Sequence, residues 1–158
     1  MVLGIDPGLA SCGWAVLPNA QTLSSCGCIT TKKEVDLAFR LSQLYREVFG
    51  LCRQYQIKEL AIESVFFAKN TKTAFLVAQA MGVIKAAAAQ AEVSVFEYTP
   101  LRIKIAVTGY GRAEKSQVTE MVCQSLGENE QLANDHVADA AAAALTHLVT
   151  LRKEDLVE

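Results

Sequence analysis

The run Val2-Leu3-Gly4-Ile5-Asp6-Pro7-Gly8 limits what this chain can fold into more than any other stretch. Val2, Leu3 and Ile5 read as a buried strand, Asp6 sets a carboxylate at its end, and Pro7-Gly8 turns the chain. Charge is rarely buried unless it is paired or binds a cation. Taken alone, Asp6 is equally well explained as an acceptor for its own turn. The other acids decide between the two readings.

The chain has 158 residues, 51% of them hydrophobic, which suits one domain over residues 1–158 with a substantial core. Residues 151–158 read as a loose tail. No basic-then-apolar leader opens the sequence, and the five cysteines lack metal-ligand spacing, with Cys26 and Cys28 the one close pair. Both features predict reduced thiols in a cytoplasmic protein. The most apolar helix candidate, 73–91, is interrupted by Gln79 and Lys85, so no membrane span is expected. Net charge is −2, yet residues 69–115 carry seven bases against three acids. A locally basic face on an acidic protein is compatible with nucleic acid.

Strands are predicted at 2–6, 14–17 and 24–31, close enough in sequence for an antiparallel meander, with 8–13 as a small-residue loop. An amphipathic helix follows over 34–56, with Leu37, Leu41, Leu44, Val48 and Leu51 at helical spacing. Then come a strand at 60–63, a helix at 72–91, a strand at 93–97, shorter helices near 100–107 and 114–125, and a last helix over 134–151. The pattern predicts an α/β fold: a mixed five-stranded sheet with helices on both faces. Helix 72–91 is apolar nearly all round. One face should cover the sheet, and the other needs either a second copy of the chain or neighbouring helices.

Glu63 closes the strand Ala61-Ile62-Glu63 as Asp6 closes the first. The last helix opens Asn134-Asp135-His136-Val137-Ala138-Asp139, where 135, 136 and 139 share a face, and the alanines at 140–144 let it lie close on the sheet. Asp6, Glu63 and Asp139 would then converge. Carboxylates and an imidazole with open positions suit Mg²⁺ or Mn²⁺ held against a phosphate, and two such ions serve phosphodiester hydrolysis.

Gly4-Ile5-Asp6-Pro7-Gly8, Ala61-Ile62-Glu63 with Val65-Phe66 and Ala68-Lys69-Asn70, Ala113-Glu114-Lys115-Ser116-Gln117-Val118 and Ala138-Asp139-Ala140 stand in one order and spacing. In these motifs the chain resembles the bacterial RuvC Holliday-junction resolvases over nearly its whole length. The resemblance implies an RNase H-like fold and a homodimer. It also implies paired Mg²⁺- or Mn²⁺-dependent nicks in opposed strands of a four-way DNA junction, during recombination and repair. It implies partnership with the RuvA and RuvB branch-migration proteins. It makes Asp6, Glu63 and Asp139 metal-binding catalytic residues and assigns a base-stacking wedge to Phe66. Lys104 and Lys115 would face the scissile phosphate, with Lys69 a further DNA contact in the Phe66 loop. Independently of the resemblance, Arg112 and Lys115 flank the start of a helix, where backbone N–H groups attract anions.

One position departs from the common family pattern: His136 stands where many members carry Asp, with Asp135 one residue earlier. Helical register favours His136 as the fourth ligand, and imidazole favours Mn²⁺ over Mg²⁺. The opening Asp-Pro-Gly also resembles the phosphate loop of actin-like ATPases, which would make this a nucleotide-binding phosphotransferase, but that needs a second similar lobe. An RNA-directed RNase H-like nuclease is the other alternative, against which the Phe66 loop and the 113–118 motif argue.

Overall fold

The computed structural model describes residues 1–64, 71–127 and 129–154. Phe66 and Lys69, with the rest of the loop after Glu63, lie outside the described residues.

Five strands form one sheet: β1 (Val2–Asp6), β2 (Ser11–Leu17), β3 (Ser25–Thr30), β4 (Glu59–Glu63) and β5 (Ser94–Tyr98). Their spatial order is β3-β2-β1-β4-β5. β1, β2 and β3 form the expected antiparallel meander, while β4 runs parallel to β1 and β5 parallel to β4. β1 therefore sits at the centre, and its Leu3 and Ile5 are fully buried.

The helices are α1 (Leu37–Gln54), α2 (Thr71–Gln90), α3 (Pro100–Thr108), α4 (Lys115–Leu126) and α5 (Asp135–Glu154), with a short 3₁₀ turn at Glu130–Ala133. α1 and α2 cover one face of the sheet around Leu3, Ile5, Val16, Leu44, Leu60 and Ile84. α5, flanked by α3 and α4, covers the other around Ala15, Ala61, Val122 and Ala140 to Ala144. The sheet with helices on both faces is the predicted architecture.

Most element ends differ from the sequence reading by one to three residues, and two of the differences bear on the site and the tail. β2 begins at Ser11, not residue 14, because residues 11–13 are extended and pair with β3, Gly13 pairing with β1 as well. α5 runs through Glu154, past the 151 expected for its end, so part of the presumed tail is helical. The 3₁₀ turn was not anticipated.

The small residues are needed because α5 lies directly on the backbone of β1 and β2. A Cβ on Gly4 would fall 2.0 Å from the Ala140 carbonyl oxygen, and one on Gly13 would fall 1.9 Å from that of His136. The alanines at 140–144 are all fully buried on this contact. On the far face, residues Thr73–Gln90 of α2 are long and apolar enough to cross a membrane by length and composition. Ala80, Ile84, Ala87 and Ala88 of that helix are nevertheless fully buried in the α1–α2 core. Its other face is left bare by the neighbouring helices: Phe75 is 63% exposed, and Gly82, Ala86 and Ala89 are exposed at helical spacing.

Gly4→Ala is expected to lower stability by roughly 2–4 kcal/mol, because the clash is with rigid helix backbone. Gly50→Ala in α1, where a Cβ meets nothing within 4 Å, is expected to raise it by about 0.5–1 kcal/mol. Urea denaturation of the two variants checks both signs.

Candidate active site

Ile5 pairs with Ile62 across β1 and β4, so Asp6 and Glu63 leave adjacent parallel strands at the same level. In the same row Asp6 pairs with Gly13 and Glu63 with Tyr98. Because Gly13 has no side chain, the first turn of α5 rests there and lowers His136 and Asp139 onto the row. Asn134 starts that helix: its side-chain oxygen accepts from the backbone N–H of His136 at 3.0 Å and of Val137 at 3.4 Å.

His136 Nδ1 lies 2.7 Å from Asp6 Oδ2. A carboxylate only accepts, so Nδ1 donates to Asp6, which leaves Nε2 as the ring atom that can face a ligand. Lys115, the first residue of α4, reaches across to Asp139 at 2.8 Å and to Asp135 at 3.3 Å. Glu114 and Gln117 set that helix start, with the Glu114 N–H donating to Gln117 Oε1 at 2.8 Å. Beside Glu63 and Asp139 opens a cleft of about 190 Å³ with Lys104 and Lys115 on its polar wall and Ile103 and Val118 on its apolar one.

The electrostatics are those of acids held together against their repulsion. Burial, then the charges of Asp6 and Asp139, push the Glu63 carboxyl up to about 7, against the opposing pull of Lys115 and Lys104. Burial raises Asp6 as well. The His136 hydrogen bond opposes that rise and the Asp139 charge adds to it. For Lys115, partial burial works against the ammonium, but the hydrogen bond and charge of Asp139, with Asp135 behind it, hold it above its ordinary value.

The structure thus brings Asp6, Glu63, His136, Asp139, Lys104 and Lys115 to one end of the sheet. Arg112 is exposed on the loop between α3 and α4 and does not line the cleft. Asp135, weighed as an alternative ligand, is the second partner of Lys115. Among the described residues no three His, Cys, Asp or Glu side chains close on one point as ready metal ligands. His136 is paired with Asp6, and Lys115 with Asp139. The donor set still fits a hard divalent cation. It is carboxylate-rich, mutually repulsive and partly shielded from water, and an ion of charge +2 would relieve what Lys115 relieves in part.

A family model described as crossover junction endodeoxyribonuclease RuvC matches residues 2–147. A relative named crossover junction endodeoxyribonuclease RuvC, from Pelotomaculum thermopropionicum, is 45% identical over 150 residues, covering 93% of this chain and 92% of that protein. The solved structure of Thermus thermophilus RuvC in complex with a Holliday junction substrate superposes with a TM-score of 0.88 at 31% identity, covering 97% and 95% of the two chains. The yeast mitochondrial Holliday junction resolvase shares the fold at a TM-score of 0.70 and 14% identity, over 98% of this chain and 80% of that one.

A carboxyl raised by folding stabilises the fold while protonated and ceases to do so as pH rises through its folded value. Cation-free protein should therefore lose stability as pH climbs from the ordinary Glu value of 4.5 to about 7. Glu63→Gln is expected to flatten that slope and to stabilise the protein by roughly 1 kcal/mol at about pH 8, after allowance for solvent screening. Thermal melts in EDTA across this range check it; parallel slopes for the two proteins would remove Glu63 as the cause.

Proposed function

The chain belongs to the RuvC family of crossover junction endodeoxyribonucleases, and from that premise we propose that its sheet-end acids bind the divalent cations with which it resolves four-way DNA junctions. The reaction is hydrolysis of one phosphodiester in each of two opposed strands, the step that separates recombining duplexes. The observation that carries the reading is that Asp6, Glu63 and Asp139 meet at one end of the sheet, where burial, and then the charges of Asp6 and Asp139, push the Glu63 carboxyl up to about 7.

Asp6, Glu63, Asp139 and His136 would hold Mg²⁺ or Mn²⁺, two per site. Such cations, when bound, activate the attacking water and neutralise the leaving oxygen. The remaining work falls to the chain's own side chains. Asp6 orients the His136 ring, and His136 Nε2 can bind a borderline cation or accept a proton from water. Lys104 and Lys115 line the cleft wall and neutralise the scissile phosphate. Lys115 can do so without leaving the site, because Asp135 still holds it when Asp139 is committed elsewhere. Phe66 stacks on a base freed at the junction, with Lys69 and Arg112 gripping the backbone nearby.

Paired cuts need two sites related by a two-fold axis, and a homodimer provides them. The bare face of α2, from Phe75 through Gly82 to Ala89, supports that pairing. Cooperation with RuvA and RuvB follows from the family reading. Five free thiols fit the cytoplasm, where junctions form.

A synthetic mobile four-way junction is expected to be cut with Mg²⁺ or Mn²⁺, and neither that junction in EDTA nor linear duplex. Asp6→Asn and Asp139→Asn should each slow cleavage by at least about a hundredfold while retaining junction binding in EDTA. His136→Ala should lose more with Mn²⁺ than with Mg²⁺. Wild-type rates with both ions would take His136 out of the ligand set and leave Asp135 to be tested.

Gly82→Arg should leave the fold intact, since a Cβ there meets nothing within 4 Å. It should convert the dimer to a monomer in analytical ultracentrifugation. A dimer that survives this change pairs through another face.

A further inference from the structure

β5 is an edge strand, and edge strands fray unless something holds them. Its last residue, Tyr98, is the cross-strand partner of Glu63. The Tyr98 carbonyl accepts two hydrogen bonds from the residue that follows Glu63. The Ser64 N–H donates at 2.8 Å and the Ser64 hydroxyl at 3.2 Å. Any movement of Tyr98 is therefore passed to the strand end that carries the Glu63 carboxylate.

Tyr98 is itself tied down from the opposite side. Its hydroxyl lies 2.6 Å from Nδ1 of His147, a residue fully buried on α5. His147 Nε2 sits 3.2 Å from Glu59 Oε2, too far off-line for a hydrogen bond. A neighbouring carboxylate oxygen still favours the proton on Nε2. Nδ1 is then the acceptor, and the Tyr98 O–H donates to it. Phe96 packs on the imidazole with ring centroids 4.4 Å apart, and the Arg102 guanidinium lies 5.3 Å from the centre of the Tyr98 ring. His147 follows the buried Thr146 on α5, after a run of buried alanines and Leu145. A hydrogen bond between two buried polar side chains holds both in one geometry.

We infer that Tyr98, anchored by His147, is a positioning residue that holds the Glu63 carboxylate in place for cation binding. His147 stands eight residues beyond Asp139 on α5. One helix thus carries Asp139 directly and sets the Glu63 strand end through His147, Tyr98 and Ser64. Neither residue touches the reacting atoms. The inference rests on Glu63 being a cation ligand.

The test uses the full chain, with Mn²⁺ alone as the probe in calorimetry and amide hydrogen exchange read at Ser64. Tyr98→Phe keeps the ring and deletes the hydroxyl. It is expected to weaken Mn²⁺ binding about tenfold, as loss of a residue supporting a ligand does. It should speed exchange at Ser64 more than at Leu3 in β1, and leave junction binding in EDTA unchanged. Val48→Ala, in the core on the opposite face, controls for lost stability and should not change Mn²⁺ affinity. Should Tyr98→Phe fail to fold, His147→Gln is read in its place. Wild-type Mn²⁺ affinity in the folded variant, or an equal loss in Val48→Ala, overturns the positioning role. Glu63→Gln is measured alongside: if it leaves Mn²⁺ affinity unchanged, Glu63 is no ligand, and the underlying reading fails first.

Discussion

Everything at the functional end of this molecule follows from how closely α5 approaches the sheet. Backbone rests on backbone at Gly4 and Gly13, where a single methyl group would collide with a helix carbonyl. The alanines at 140–144 are the other half of the contact, small enough to disappear into it. At an ordinary helix–sheet spacing His136 could not reach Asp6 at 2.7 Å. The glycines weaken their strands, since they add backbone entropy and pack nothing. That cost is offset by a helix placed with little freedom to shift.

The same closeness creates the electrostatic problem on which the chemistry depends. Asp6, Glu63 and Asp139 are brought together where water is scarce, and burial plus mutual repulsion push Glu63 to about 7. The fold tolerates this through partial compensation. His136 hydrogen-bonds Asp6, the Lys115 ammonium sits on Asp139 and Asp135, and the N-terminus of α5 points a favourable dipole at the cluster. None of these removes the excess negative charge. A site that is stable but electrostatically unsatisfied suits a divalent cation, and in the proposed reaction the scissile phosphate would meet Lys104 and Lys115, which line the same cleft.

Much of this was legible in the sequence, for physical reasons. Asp6 and Glu63 stood out because each ends an apolar run, and a strand end is where a charge can meet a ligand. Asp139 and His136 were tied together by helical spacing of three. The mixed five-stranded sheet followed from three short-range strands and then alternating helices and strands. What stayed hidden was long-range or depended on what is absent. Gly13 looked like part of a loop, because nothing local says that a helix will lie on it. Tyr98 and His147 are 49 residues apart in sequence, and each alone reads as core. Lys115 was visible as a phosphate contact, whereas its hold on Asp139 and Asp135 depends on how α4 and α5 are juxtaposed. The pairing of Asp6 with His136 and of Asp139 with Lys115 is likewise something no spacing rule anticipates.

The division of labour between the sheet's two faces bears on how paired cuts stay in register. The acids, the lysines and the α5 contact all belong to one face, while α2 and its bare stripe belong to the other. On the site side, α5 reaches every acid: it carries Asp139 itself, Asp6 is held by His136, and the Glu63 strand end is held through His147 and Tyr98. Among the described residues, these contacts all lie within one copy of the chain. In the proposed dimer, the distance between the two scissile phosphates is set by α2 packing alone. Substitutions on α2 can then change which junction geometry is accepted without disturbing hydrolysis, and substitutions around α5 can do the reverse.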